Sequence, residues 1–200
     1  MAKANWVKTD REAGSGNGVV NVTSSAKYTG RKARESVLTW KAANADDVPR
    51  SVIQAGMPEY VDIADAAASE AAGKVVTVSG VSNSAKLTFS LGKGELEVAL
   101  PDTYIAHSLT IKNGAAITGD PGSQTEYNFS ISVTVPANDG TETKTRQIIV
   151  TDEAGHQDTC VLTLAAGEPY IIIAMEVIEL DYLGTPVAVY VESNTDWTVE

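Results

Sequence analysis

The sequence predicts an all-β protein built as packed sandwich layers. Three observations carry that prediction. Hydrophobicity alternates with period 2, most clearly in YNFSISVTV, where Tyr127, Phe129, Ile131, Val133 and Val135 share one face. Turn signals (GSGNG, DPGS, NDG and LGTP) punctuate the chain between these runs. Many short strands with turns at this spacing read as a sandwich or a barrel. Long helical periodicity is missing, apart from DIADAAASEAAG at 62–73. That stretch has two equal readings: a short helix closed by Gly73, or a linker of small residues.

In chain order, KLTFSL and ELEVAL alternate and predict half-buried strands. In GELEVAL the alternation puts Glu95 and Glu97 on one face, expected to be solvated. QIIV, CVLTL and YIIIA are continuously apolar, as strands between two layers are. VAVYV alternates again near the end.

Composition bounds the rest. Of 200 residues, 43% are hydrophobic and 20% charged, enough apolar material for a packed core. The longest apolar run, PYIIIAMEVIEL, is too short for a membrane span and carries two glutamates. MAKANW has no apolar leader region, so the expected place of synthesis is the cytoplasm, with release by lysis. Cys160 is the only cysteine, which excludes an intrachain disulfide and predicts a small buried hydrophobe.

The net charge of −11 argues against nucleic acid as a partner. It is unevenly spread. Residues 1–56 hold nine Lys and Arg against five Asp and Glu; residues 168–200 hold no Lys or Arg against seven acids.

An internal repeat runs at an offset of 111 residues without a gap. QAGMPEYV at 54–61 returns as AAGEPYII at 165–172, Ser82-Asn83 as Ser193-Asn194, and Val76 and Val78 as Val187 and Val189. VNVT at 20–23 aligns with ISVT at 131–134, and VL at 37–38 with II at 148–149. The repeat divides the chain into one full period at 57–167, the back part of a period at 1–56 and the front part at 168–200.

Joined end to end, SNTDWTVE and MAKANWVKTDREAGSGNG resemble the BACON domain. This is an immunoglobulin-like β-sandwich of gut Bacteroidota and their crAss-like phages. Trp197 matches the family's first Trp, Trp6 its second, and Gly14 to Gly18 its glycine turn; RESVLTW and SVIQAG match its last two strands. Asp10-Arg11 replaces the family's usual Ser-Pro, and the middle copy lacks both tryptophans. The resemblance implies one complete, diverged middle sandwich and one BACON-type sandwich split between the termini. The residues expected in the core of the split sandwich, where subunits join, are Trp6, Val20, Val22, Val37, Ile53, Val187, Val189, Val191 and Trp197.

A half sandwich exposes strand edges and an apolar face, so each part needs a partner. Closure has two solutions, within one chain or between neighbours. The short connections at 56–61 and 167–170 favour neighbours, and the opposite charges favour their encounter. The resemblance implies a non-enzymatic virion protein, with capsid decoration preferred over a head-fibre or tail role. Its partners are further copies of itself and other virion proteins such as the major capsid protein. The family's proposed role implies the alternative, a carbohydrate- or mucin-binding module, with Trp40 and Tyr28 as candidate glycan contacts.

Catalytic chemistry finds no constellation. His107 and His156 lie in predicted loops without a nucleophile at a usable spacing, and no G-x-S-x-G is present. Asp152, Glu153 and Asp158 lack the spacing of a calcium loop, and GSGNG lacks the lysine of a phosphate loop. Arg31, Lys32 and Arg34 form a basic cluster, expected to meet the acidic tail or an acidic neighbour. No catalytic, cofactor or metal residue is assigned.

Overall fold

A computed structural model describes residues 3–200 of the chain. It is all-β, with a single 3-10 turn at Pro121–Ser123 among the described residues. No helix there is long and apolar enough to cross a membrane.

Residues 3–56, here the head, form two antiparallel ladders. One pairs β1 (Val7–Thr9) with β2 (Val22–Ser24), the other β3 (Arg34–Trp40) with β4 (Val48–Gln54). Val7 and Leu38 are the buried apolar residues of this region. The Ala4 amide donates to Ser36 Oγ and ties the entry of β1 to β3.

Residues 57–167 fold as a two-layer sandwich. The strands are β5 (Val61–Ile63), β6 (Ala66–Ser69), β7 (Lys74–Ser82), β8 (Leu87–Gly94), β9 (Thr103–Ala106), β10 (Leu109–Lys112), β11 (Tyr127–Val135), β12 (Lys144–Asp152) and β13 (Gln157–Leu164). One sheet runs β10-β9-β11-β7-β5, the other β6-β13-β12-β8. Alternation decides which side chains meet between them. Tyr127, Phe129, Ile131, Val133 and Val135 all point inward, against Ile148, Val150, Leu162 and Leu164 of the facing sheet. Phe89 packs edge-on against Phe129 at 5.8 Å between ring centroids.

The segment 62–73 is neither of the two forms expected for it. It supplies the end of β5 and all of β6, which crosses to the second sheet and pairs in parallel with β13. Alanine favours helix, but β13 offers an edge whose amides need acceptors. Val161 donates to the Asp65 carbonyl, and Ala165 to that of Ser69. Gly73 makes the following turn at φ +70°. GELEVAL keeps its alternation, with Leu96 buried between exposed Glu95 and Glu97, but it lies largely beyond β8. There a register shift beside Arg146 is filled by its guanidinium, which donates to the Leu96 and Gly92 carbonyls.

Residues 168–200, here the tail, form one short ladder of β14 (Ile171–Ile173) and β15 (Val191–Ser193). Its apolar side chains are largely exposed, including Val177, Leu180, Tyr182, Leu183 and Tyr190.

Head and tail attach at opposite poles of the sandwich. The head bonds the turn that precedes β11: Arg31 and Lys32 amides donate to the Gly122 and Ser123 carbonyls. The tail bonds the loop that follows β11: Asn194 Nδ2 donates to the Asp139 carbonyl. Nine residues of extended β11 separate these poles by roughly 30 Å. Among the described residues, no hydrogen bond joins head to tail.

Candidate functional site

The two poles carry the same joint. At the inner one, the Tyr60 amide donates to Asn83 Oδ1 at 3.0 Å, and Asn83 Nδ2 donates to the Pro58 and Thr29 carbonyls. Ser82 Oγ donates to the Tyr60 carbonyl, and the Met57 amide to that of Gly30. At the outer one, the Tyr170 amide donates to Asn194 Oδ1, and Asn194 Nδ2 to the Glu168 and Asp139 carbonyls. Ser193 Oγ donates to the Tyr170 carbonyl, and the Gly167 amide to that of Gly140. Each joint binds the start of one strand pair to the preceding β-structure through one asparagine side chain and one backbone hydrogen bond.

The strand ladders repeat as well. Val61 lies opposite Ser82, and Ile171 opposite Ser193. Arg34 lies opposite Gln54; 110 residues on, Lys144 lies opposite Leu164. The offset is therefore 111 for Ser82-Asn83 but 110 for the residues from β3 to Tyr60. This corrects the gapless repeat: the tail carries one extra residue between the two strands of its ladder.

That single residue changes which side chains face inward, because strand side chains alternate. Leu38 and Trp40 stand where Ile148 and Val150 stand, on the core face. Leu38 is buried, while Trp40 is 43% exposed where Val150 is fully covered. Val37 and Ile53, expected in the core, lie on the other face: Val37 is half-buried and Ile53 is 68% exposed. Val52, opposite Ser36, takes the inward place.

The remaining expected core residues lie on unfinished surfaces. Val187 and Val189 follow Val76 and Val78 by 111 residues. The middle pair is buried; in the tail, Val187 is exposed and Val189 half-buried. Val191 is half-buried and Trp197 exposed. In the head, Val20 is half-buried and Val22 exposed. Trp6 is half-buried beneath Arg34, whose guanidinium lies 4.4 Å from its centroid and 4.3 Å from that of Tyr28. Val20, Leu38 and Trp40 line an open groove of about 560 Å3 beside the glycine loop.

Strand edges are unfinished in both head and tail. β11 is paired along both edges, by β9 and by all nine residues of β7. Among the described residues, β2 is paired by β1 alone, and the tail counterpart of β7 is ladder only at Val191–Ser193.

The joints differ in one respect. Arg31 forks onto Asp120 at 2.5 and 2.8 Å, and its guanidinium also donates to the Asn83 carbonyl. These hydrogen bonds hold the Asp120 carboxyl below its ordinary value, and Asp120 raises Arg31. The residue 110 beyond Arg31 is Thr141. There the outer joint carries an open polar notch of about 450 Å3, lined by Thr141, Ser193, Asn194, Thr195 and Asp196.

The other candidates have structural work. Asp152 is buried and accepts hydrogen bonds from the His156 amide and from His156 Nδ1. Asp158 accepts from the Ile63 amide. No group of three His, Cys, Asp or Glu gathers among the described residues. His107 forms the β9–β10 turn with Ser108, both at positive φ. Cys160 is buried in β13, and burial pushes its thiol up. Tyr28 gives its hydroxyl to the Ser123 carbonyl and a ring face to Arg34. Burial, and next the hydrogen bond to Glu126, push the Tyr60 hydroxyl above its ordinary value. Sequence reasoning missed Asn83 as the centre of the joint, although the repeated Ser-Asn pair was its signal.

No protein-family model matches the chain, and no curated protein matches it.

Proposed function

We propose that the chain is a non-enzymatic structural protein that assembles by strand complementation between copies. One observation carries this reading: head and tail attach at opposite ends of β11, roughly 30 Å apart, and among the described residues β2 and the segment ahead of β15 each leave a strand edge unpaired. Each exposes apolar residues whose middle counterparts are buried. A tail reaching the head of its own chain has to span the sandwich, whereas a neighbour's tail does not. The charges support the encounter, with seven acids and no Lys or Arg in the tail and a net basic head.

In this reading head and tail are parts of one immunoglobulin-like sandwich of BACON type. The resemblance of SNTDW and GSGNG to that family supports a virion protein of a phage of gut Bacteroidota, with capsid decoration as the preferred role. The glycan-binding alternative loses support, since Trp40 stands on the core face and Tyr28 packs under Arg34.

Mass measurement across a concentration series, beside a mucin-binding assay, tests the proposal. The expected result is growth in mass with concentration, without mucin retention. A strict monomer with Trp6 and Trp197 both shielded from quenchers defeats it.

A further inference from the structure

We propose that a second copy of this chain lays residues 185–193 antiparallel along the free edge of β2, with Val189 opposite Val20 and Val187 opposite Val22. This rests on the complementation reading above and adds its register.

The middle sandwich supplies the template. There Val78 lies opposite Ile131 and Val76 opposite Val133, and all four are buried. The tail's place on that template is fixed by the Ser193-Asn194 joint, which repeats the bonds of Ser82-Asn83. The head's face follows from Val7, which is buried opposite Ser24, so Ser24, Val22 and Val20 share its side. Its register follows from the strand ends: β2 ends at Ser24 and β11 at Val135, an offset of 111 that sets Val20 and Val22 on the inward positions of Ile131 and Val133, and the connection to β3 is one residue longer than that from β11 to β12. β1 covers the other edge of β2, so one edge remains for the incoming strand.

The outer joint gives a second point of contact. At the inner joint the turn ahead of β11 seats on the preceding chain segment. Gly122 and Ser123 carbonyls accept from Arg31 and Lys32, and the Glu126 amide donates to Thr29 Oγ1. The notch of Thr141 and Ser193–Asp196 occupies the corresponding place and is open. The turn ahead of β2 in the second copy is the matching insert.

The test uses the full chain with one new cysteine at a time. Cys160 is fully buried and stays in place. A Val20→Cys chain is mixed with a Val189→Cys chain and mildly oxidised; Asn21→Cys mixed with Val189→Cys is the control. The expected result is a disulfide heterodimer from the first mixture and none from the control. The double variant Val20→Cys/Val189→Cys then gives a ladder of linked chains. Linkage from the Asn21→Cys mixture alone overturns the register and leaves assembly standing. A double variant that closes only within single chains overturns the second copy as partner. Absence of all linkage from a chain whose mass grows with concentration overturns this edge. The same absence from a strict monomer overturns the complementation reading as well.

Discussion

Arg31, Asn83 and Asp120 hold the inner joint with charge-assisted and neutral hydrogen bonds at the edge of the sandwich. Asp120 is depressed, so its contribution is present above the unfolded value, near 3.8, and is lost as pH falls through the lower folded value. Asp120→Asn is expected to cost about 1 kcal/mol of head docking at neutral pH, given its partial exposure. The difference from the parent protein shrinks under strong acid, and hydrogen exchange at residues 28–34 reads it. A second site lies in the β9–β10 turn, where His107 and Ser108 adopt φ 48° and 65°. Such a two-residue turn favours Asn-Gly. Replacing the pair by Asn-Gly is expected to stabilise the middle sandwich by about 0.5–1 kcal/mol in denaturant unfolding.

Among the elements, β11 was the most legible. Its strict alternation gave its length, its inward face and the sandwich class, and all five predicted core residues are buried. Ile131→Ala is expected to cost about 3–4 kcal/mol, measured as a lower midpoint for 57–167. β3 and β4 were legible as strands but not in phase. An offset of 111 sets Val37 and Leu38 against Ile148 and Ile149, and one of 110 sets Leu38 against Ile148 and Trp40 against Val150, so two apolar matches arise either way and the sequence does not choose the face. Only the pairing of Arg34 with Gln54 resolves that Leu38, not Val37, points inward. Segment 62–73 misled for another reason: alanine's helix preference is local, while the β13 edge that captures it is distant in sequence. The two asparagines make a paired experiment. Asn83→Ala leaves several backbone groups unpartnered and is expected to cost about 2–3 kcal/mol at any concentration. Asn194→Ala is expected to cost little in dilute protein and to match it once copies associate.

At the scale of the whole molecule, the organisation into 1–56, 57–167 and 168–200 could be proposed from the repeat, since a repeat survives loss of identity where turns and faces are kept. Entry at one end and exit at the other is expected of tandem sandwiches; the structure adds that β11 is the strand that carries the head at one end and the tail at the other. Deleting 168–200 is expected to expose 1–56 to protease while 57–167 remains resistant, as gel bands over a digestion course show. Persistent protection of 1–56 would falsify the complementation scheme.

The exchange of Arg31 for Thr141 has a mechanical consequence. If copies join as inferred, each subunit has one joint braced by the Arg31–Asp120 ion pair, at the head, and one held by the Asn194 clasp without an ion pair, at the tail. Stiffness then alternates along the assembly. Thermal bending concentrates at the tail joint of every subunit, where a rod of linked copies would flex first.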